Sequence, residues 1–95
     1  MPYFRVLMHG QGISFALENE EPAIGFYAAR TVRAQCAEDA SRKAKDAVVG
    51  LWATAEYSAR NNGGTPVISI DSVERIGFFQ MLRTPDKGHV FYTRE

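Results

Sequence analysis

The sequence predicts an α+β fold, a ββαββ two-layer sandwich in which an antiparallel sheet is covered on one face by one long helix. Three observations carry this expectation. Apolar residues recur at spacings of three and four between Ala37 and Arg60, which is the helical period. The segments before and after that stretch alternate residue by residue, as strands do. Clusters of Gly, Pro, Asn and acidic residues punctuate the joins.

The 95 residues make a single domain, 1–95. A chain of this length buries roughly 60 % of its unfolded surface, enough for one modest core. Eleven basic residues balance eleven acidic ones. That balance argues against a dedicated nucleic-acid binder, whose affinity rests on unopposed Lys and Arg. No apolar run approaches the ~20 residues of a bilayer span. The start, Met1-Pro2-Tyr3-Phe4-Arg5, has no charged region followed by a long apolar one, so no signal peptide is expected. The single cysteine, Cys36, cannot form an internal disulfide and suits a reducing compartment. A cytoplasmic location is expected.

Tyr3 to His9 reads as the first strand, with Phe4, Val6 and Met8 toward the core. Gly10-Gln11-Gly12 breaks or bulges it, and Ile13, Phe15 and Leu17 resume the extended pattern. Glu18-Asn19-Glu20-Glu21-Pro22 is a polar turn. Ile24 to Ala34 is the second strand, paired antiparallel with the first as a hairpin. Phe26, Ala28, Arg30 and Val32 share one of its faces. The small side chains of Ala28 and Ala29 leave room for close packing.

In the helix, Ala37, Ala40, Ala44, Val48, Leu51 and Ala55 form the expected core stripe. Cys36 stands where a capping Ser or Thr would, with Asp39 three residues on as a weakened capping box. Glu38 and Asp39 suit the positive end of the helix dipole. Asn61-Asn62-Gly63-Gly64 supplies the stop. The second half, Val48 to Ala59, carries Glu56 as its only charge, and Val49, Trp52 and Ala53 fall off the stripe. A helix apolar on more than one face is covered on more than one face. The expected cover is a second copy of the chain; the alternative is that the sheet curls round Trp52 within one chain.

Val67 to Ile76 reads as the third strand, although Asp71-Ser72-Val73-Glu74-Arg75 is polar enough for a helical turn. Gly77 to Leu82 is apolar but aperiodic. Arg83 to Gly88 is a turn built on Pro85, and His89 to Thr93 closes a second hairpin. The sheet face away from the helix should carry some of Tyr3, Arg5, Leu7, Tyr27, Thr31, Arg33 and Tyr92. Half of that set is apolar, which points to a partner.

The strand Gly25-Phe26-Tyr27-Ala28-Ala29-Arg30, the acidic helix start Glu38-Asp39-Ala40 and the late Phe91-Tyr92 together resemble a group of small bacterial proteins of no established function. The resemblance covers most of the chain and rests on short motifs. It implies a bacterial, cytoplasmic, stand-alone domain, and it carries over no catalytic residue.

Candidate chemistry is sparse, and no catalytic, cofactor-binding or metal residue is assigned. Cys36 at a helix start could be an activated thiol, but it reads more simply as a replaced capping Ser. A nucleophilic Cys needs a base, and His9 and His89 are the only histidines. His9, His89 and Cys36 lack the local spacing of a zinc site. Glu18, Glu20 and Glu21 read as a solvated turn. Arg30, on a core-like face, wants a carboxylate such as Asp71, Glu74 or Glu95, and its functional reading is an anion or partner contact. Lys87 to Tyr92 is similar to an RNA-recognition strand, with His89 where an aromatic would stand.

The resulting expectation is a non-enzymatic protein–protein interaction module without cofactor, homodimeric through the second half of the helix, the open sheet face, or both. Its expected interface residues are Val49, Trp52, Ala53, Tyr27 and Tyr92. The alternative is a nucleic-acid-binding, antitoxin-like module using Arg5, Arg33, Tyr27 and Tyr92 on the sheet face.

Overall fold

A computed structural model of the chain describes residues 1–18, 20–83 and 87–93. Four strands, β1 (Tyr3–Phe15), β2 (Ala23–Arg33), β3 (Val67–Ile76) and β4 (Lys87–Thr93), form one antiparallel sheet in the order β3-β1-β2-β4. Three helices, α1 (Ala37–Trp52), α2 (Ala55–Arg60) and α3 (Phe78–Arg83), join them in the chain order β1-β2-α1-α2-β3-α3-β4. The α+β class therefore holds, while the simple ββαββ order with one helix over 37–60 does not.

β1 runs without a break through the glycines. Gly12 takes a positive φ of 82°, and the β1–β2 register shifts between Gln11 and Phe15. A residue without Cβ lets the strand bulge there and bend onward. β3 is likewise extended throughout. Its register against β1 slips between Leu7 and Met8, where Asp71 is the extra residue. The polar stretch is thus an edge strand with a bulge, not a helical turn.

The second hairpin is replaced by a crossover. β3 pairs with β1 and β4 pairs with β2, so they occupy opposite edges. The β1–β2 hairpin alone would leave two rows of unpaired backbone groups; β3 and β4 satisfy one row each. The aperiodic apolar stretch becomes α3, within the connection from one edge to the other. Thr84, Pro85 and Asp86 of the expected turn, like Asn19 of the acidic turn, lie outside the described residues.

The single long helix is corrected as well. α1 stops at Trp52, with Ala53 as its C-cap, and Thr54 turns extended (φ −70°, ψ 155°) before α2 begins. Thr54 Oγ1 donates to Leu51 O at 2.7 Å, taking up one of the carbonyls that the ended helix leaves open. The cause of the break lies at the far end of α2. Ala16 N–H donates to Arg60 O and Asn62 N–H donates to Ser14 O, both at 2.8 Å. Asn61 Oδ1 accepts from Ser14 N–H and Gly63 N–H. A straight helix could not bring Arg60–Asn62 back to the end of β1. Gly63 sits so close to β1 that a Cβ there would come within 2.8 Å of the Ile13 carbonyl carbon.

At the start of α1, Cys36 is the N-cap but makes no side-chain cap bond. Asp39 Oδ2 instead accepts from Gln35 N–H, and the same carboxylate pairs with Arg42 and Lys43. Partial desolvation raises the Asp39 pKa, but the Gln35 N–H and the two cations outweigh it and hold the carboxyl below its ordinary range.

The core lies between α1 and one face of the sheet. Phe4, Val6, Met8, Phe26, Ala28 and Ile68 meet Ala40, Ala44, Val48 and Trp52. These last four are spaced by four residues, so the buried row slants around the helix rather than running straight along it. Trp52 lies on that row. It is 4 % exposed, which overturns its placement on an outer, intermolecular face. Phe26 stacks on Trp52 (5.1 Å, 16°), and Phe15 and Tyr57 meet it edge-on. The cover of Trp52 comes from its own chain.

Candidate functional site

Cross-strand partners share a face of the sheet, so the register sorts every side chain. Tyr3, Arg5, Leu7, His9 and Gln11 of β1 stand opposite Arg33, Thr31, Ala29, Tyr27 and Gly25 of β2. Val90 and Tyr92 of β4 and Val67, Ser69, Ser72 and Glu74 of β3 continue the same face outward. The long helix α1 packs on the other side, and among the described residues no element of comparable size covers this one. An antiparallel sheet facing water normally alternates apolar-in, polar-out. Here the outward set includes Leu7, Tyr27 (49 % exposed), Val67 and Val90 (60 % exposed).

At its centre is an aromatic cluster. Tyr27 stacks on His9 with ring centroids 4.7 Å apart and planes 14° apart. Tyr92 closes the group, its Oη 2.6 Å from His9 Nε2, and Gln11 Nε2 lies 3.4 Å from His9 Nδ1. In the tautomer where Gln11 donates to Nδ1, His9 donates Nε2–H to Tyr92 Oη. The Tyr92 hydroxyl proton is then left for whatever covers the face. Arg5 Nη1 donates to Thr31 Oγ1 at 3.2 Å, and the Arg33 guanidinium sits 6.0 Å from the Tyr3 ring.

Two glycines make these positions possible. Tyr92 is the cross-strand partner of Gly25 and lies over it; a Cβ on Gly25 would fall 2.1 Å from Tyr92 Oη. On the helix side Phe26 lies over its partner Gly10, where a Cβ would fall 2.2 Å from Phe26 Cζ. Both are aromatic rings folded across a cross-strand glycine. Reading the sequence alone missed both pairings, although Gly25-Phe26-Tyr27 and Phe91-Tyr92 were the signal.

The other expected site residues scatter. Val49 is half-buried and packs against the core, and Ala53 is exposed at the end of α1. With Trp52 they line a recess of about 240 Å³ against the 61–65 turn. Arg30 is half-buried on the helix side, where Nη1 donates to Ala29 O at 3.1 Å. Strand β1 separates it from Asp71 and Glu74 on β3, which removes them as its expected partners, and Glu95 lies outside the described residues. His9 and His89 project from opposite faces, so they cannot join Cys36 in one site. Among the described residues no three His, Cys, Asp or Glu side chains gather into a group that could hold a metal ion. No described helix is long and apolar enough to cross a membrane. Comparison with protein-family models, curated proteins and solved structures finds no match to this chain.

His89 belongs to the core, not to the open face. Its Nε2 accepts Trp52 Nε1–H at 3.0 Å, and Phe26, Phe91 and Tyr57 surround its ring. Desolvation, reinforced by the nearby Arg30 charge, lowers its pKa from 6.5 to about 4. The unfolded chain therefore takes up this proton first. The stability due to neutral His89 is present in full above pH 6.5 and is lost as pH falls toward 4. At full value the shift is about 3 kcal/mol; solvent screening of a half-buried ring leaves about 1–2 kcal/mol. Urea unfolding across that pH range should show this loss in the native chain and not in His89→Gln. Equal pH slopes in both would refute it.

Proposed function

We infer that this protein is a small protein–protein interaction module, without catalytic chemistry of its own, whose working surface is the open sheet face. One observation carries the reading. Among the described residues, every large apolar side chain that is well exposed lies on that face, on α3 or at Met1: Leu7, Tyr27, Val67 and Val90, then Phe78, Phe79 and Leu82. An exposed apolar patch of this kind, edged by Arg5, Arg33 and Glu74, has the make-up of a binding surface. The burial of Trp52 favours the sheet face over the second half of the helix. A reducing, cytoplasmic setting fits the single exposed Cys36.

Capture experiments test it. The native chain, Leu7→Glu and Ala47→Glu should be compared as baits, because Ala47 is exposed on the helix side. Proteins held by the native chain and by Ala47→Glu should be lost from Leu7→Glu. Identical captures with all three would end the reading. A second reading, nucleic-acid binding, is favoured by the stacked His9 and Tyr27 rings beside Arg5 and Arg33. Zero net charge weighs against it. It predicts retention on heparin at low salt that Arg5→Ala with Arg33→Ala abolishes.

A further inference from the structure

We propose that the occupant of the open sheet face is a second copy of this chain, packed sheet against sheet about a twofold axis. This rests on the open face being the working surface and names what covers it. The size is suitable. Nine consecutive residues of β1, Tyr3 to Gln11, are paired on both sides, which gives about 30 Å of length. Four strands ~4.8 Å apart give a width of about 19 Å. The footprint is therefore roughly 550 Å² before side-chain relief. The exposed Phe78 of α3, whose ring meets Tyr3 at the edge of this face, extends it toward the ~800 Å² per partner of a standard interface.

The shape and charge point the same way. A broad pleated face fits another pleated face at ~10 Å, the spacing of packed sheets. A twofold contact uses the same patch on both copies, and the open face is one continuous apolar patch of this kind. The exposed apolar centre, Leu7, Tyr27 and Val90, has charges toward one end, with Arg5 and Glu74 as cross-strand partners. Two chains of zero net charge approach without long-range repulsion. α3 supplies the remaining argument. It has six residues and buries none of them in its own chain, although Phe78 touches the Tyr3 ring at the edge of the open face (6.2 Å). A helix that short is not stable alone in water. A partner seated on the sheet would cover Phe78, which is 53 % exposed.

The test combines solution mass with hydroxyl-radical footprinting of the unmodified chain. Light scattering should give twice 10.6 kDa for the native chain and for Ala47→Glu. Leu7→Glu and Val90→Glu should weaken the dimer by about 30-fold or more while remaining folded. Footprinting needs no variant. Concentrating the native chain should protect Leu7, Tyr27, Val90 and Phe78 from modification and leave Tyr57 unchanged. A native chain that stays monomeric overturns the second copy; the capture comparison then decides the open-face reading separately. A dimer in which Leu7 and Val90 stay as reactive as before also overturns it, because that dimer uses another surface. Protection that follows addition of a single-stranded oligonucleotide, but not concentration of the chain, overturns it in favour of nucleic acid.

Discussion

Trp52→Ala is expected to lower stability by about 3–5 kcal/mol, in urea unfolding followed by circular dichroism. The side chain is 4 % exposed and touches rings from three strands and α2: Phe15, Phe26, Phe91, His89 and Tyr57. Truncation removes that apolar burial and leaves a cavity that rigid aromatic neighbours cannot fill. A domain of this length has roughly 5–14 kcal/mol in all, so the variant should melt far below the native chain. Trp52→Phe separates packing from hydrogen bonding. It keeps a ring but strips the donor from His89 Nε2, at about 1–3 kcal/mol. A Trp52→Ala chain of near-native stability would show that Trp52 is a surface residue, contrary to the packing described above.

Gly10→Ala and Gly25→Ala should each cost about 1–3 kcal/mol or more, by overpacking rather than by loss of contacts. The two differ in where the strain falls. At Gly10 the new methyl meets the Phe26 ring, which is fully buried beneath Trp52, so the core must shift. At Gly25 it meets Tyr92, which can swing outward from the open face. Gly25→Ala should therefore be the milder of the two in unfolding. It should also break the 2.6 Å contact between Tyr92 and His9, visible as a changed His9 ring signal in NMR. If Gly25→Ala left that signal unchanged, the placement of Tyr92 across Gly25 would be wrong.

Local pattern fixed much of this molecule. Alternation of Phe4, Val6 and Met8 placed β1 and its core face. The acidic start at Glu38-Asp39 and the Asn61–Gly64 stop bounded the helical region. The outward placement of Tyr3, Arg5, Leu7, Tyr27, Thr31 and Arg33 followed from parity once β1 and β2 were paired, while Tyr92 joins them through the pairing of β4 with β2. Such features depend on neighbours within a few residues, which is the range over which periodicity and turn chemistry act. The rest depends on contacts between distant segments. Trp52 belongs to the core because a row spaced by four slants across the sheet, an angle set by helix packing and not by local period. The helix breaks at Ala53–Thr54 because Arg60, Asn61 and Asn62 must bond to the end of β1. β3 and β4 part to opposite edges because the central hairpin has two edges to satisfy. His89 turns inward while His9 faces out because each takes its side from cross-strand register. Sequence by itself determined the α+β class, the extent of β1, β2 and β3 and the parity of side chains along β1 and β2. Tertiary structure alone decided the split into α1 and α2, the separation of β3 and β4 to opposite edges, and the burial of Trp52 and His89, since each depends on contacts between segments far apart in the chain.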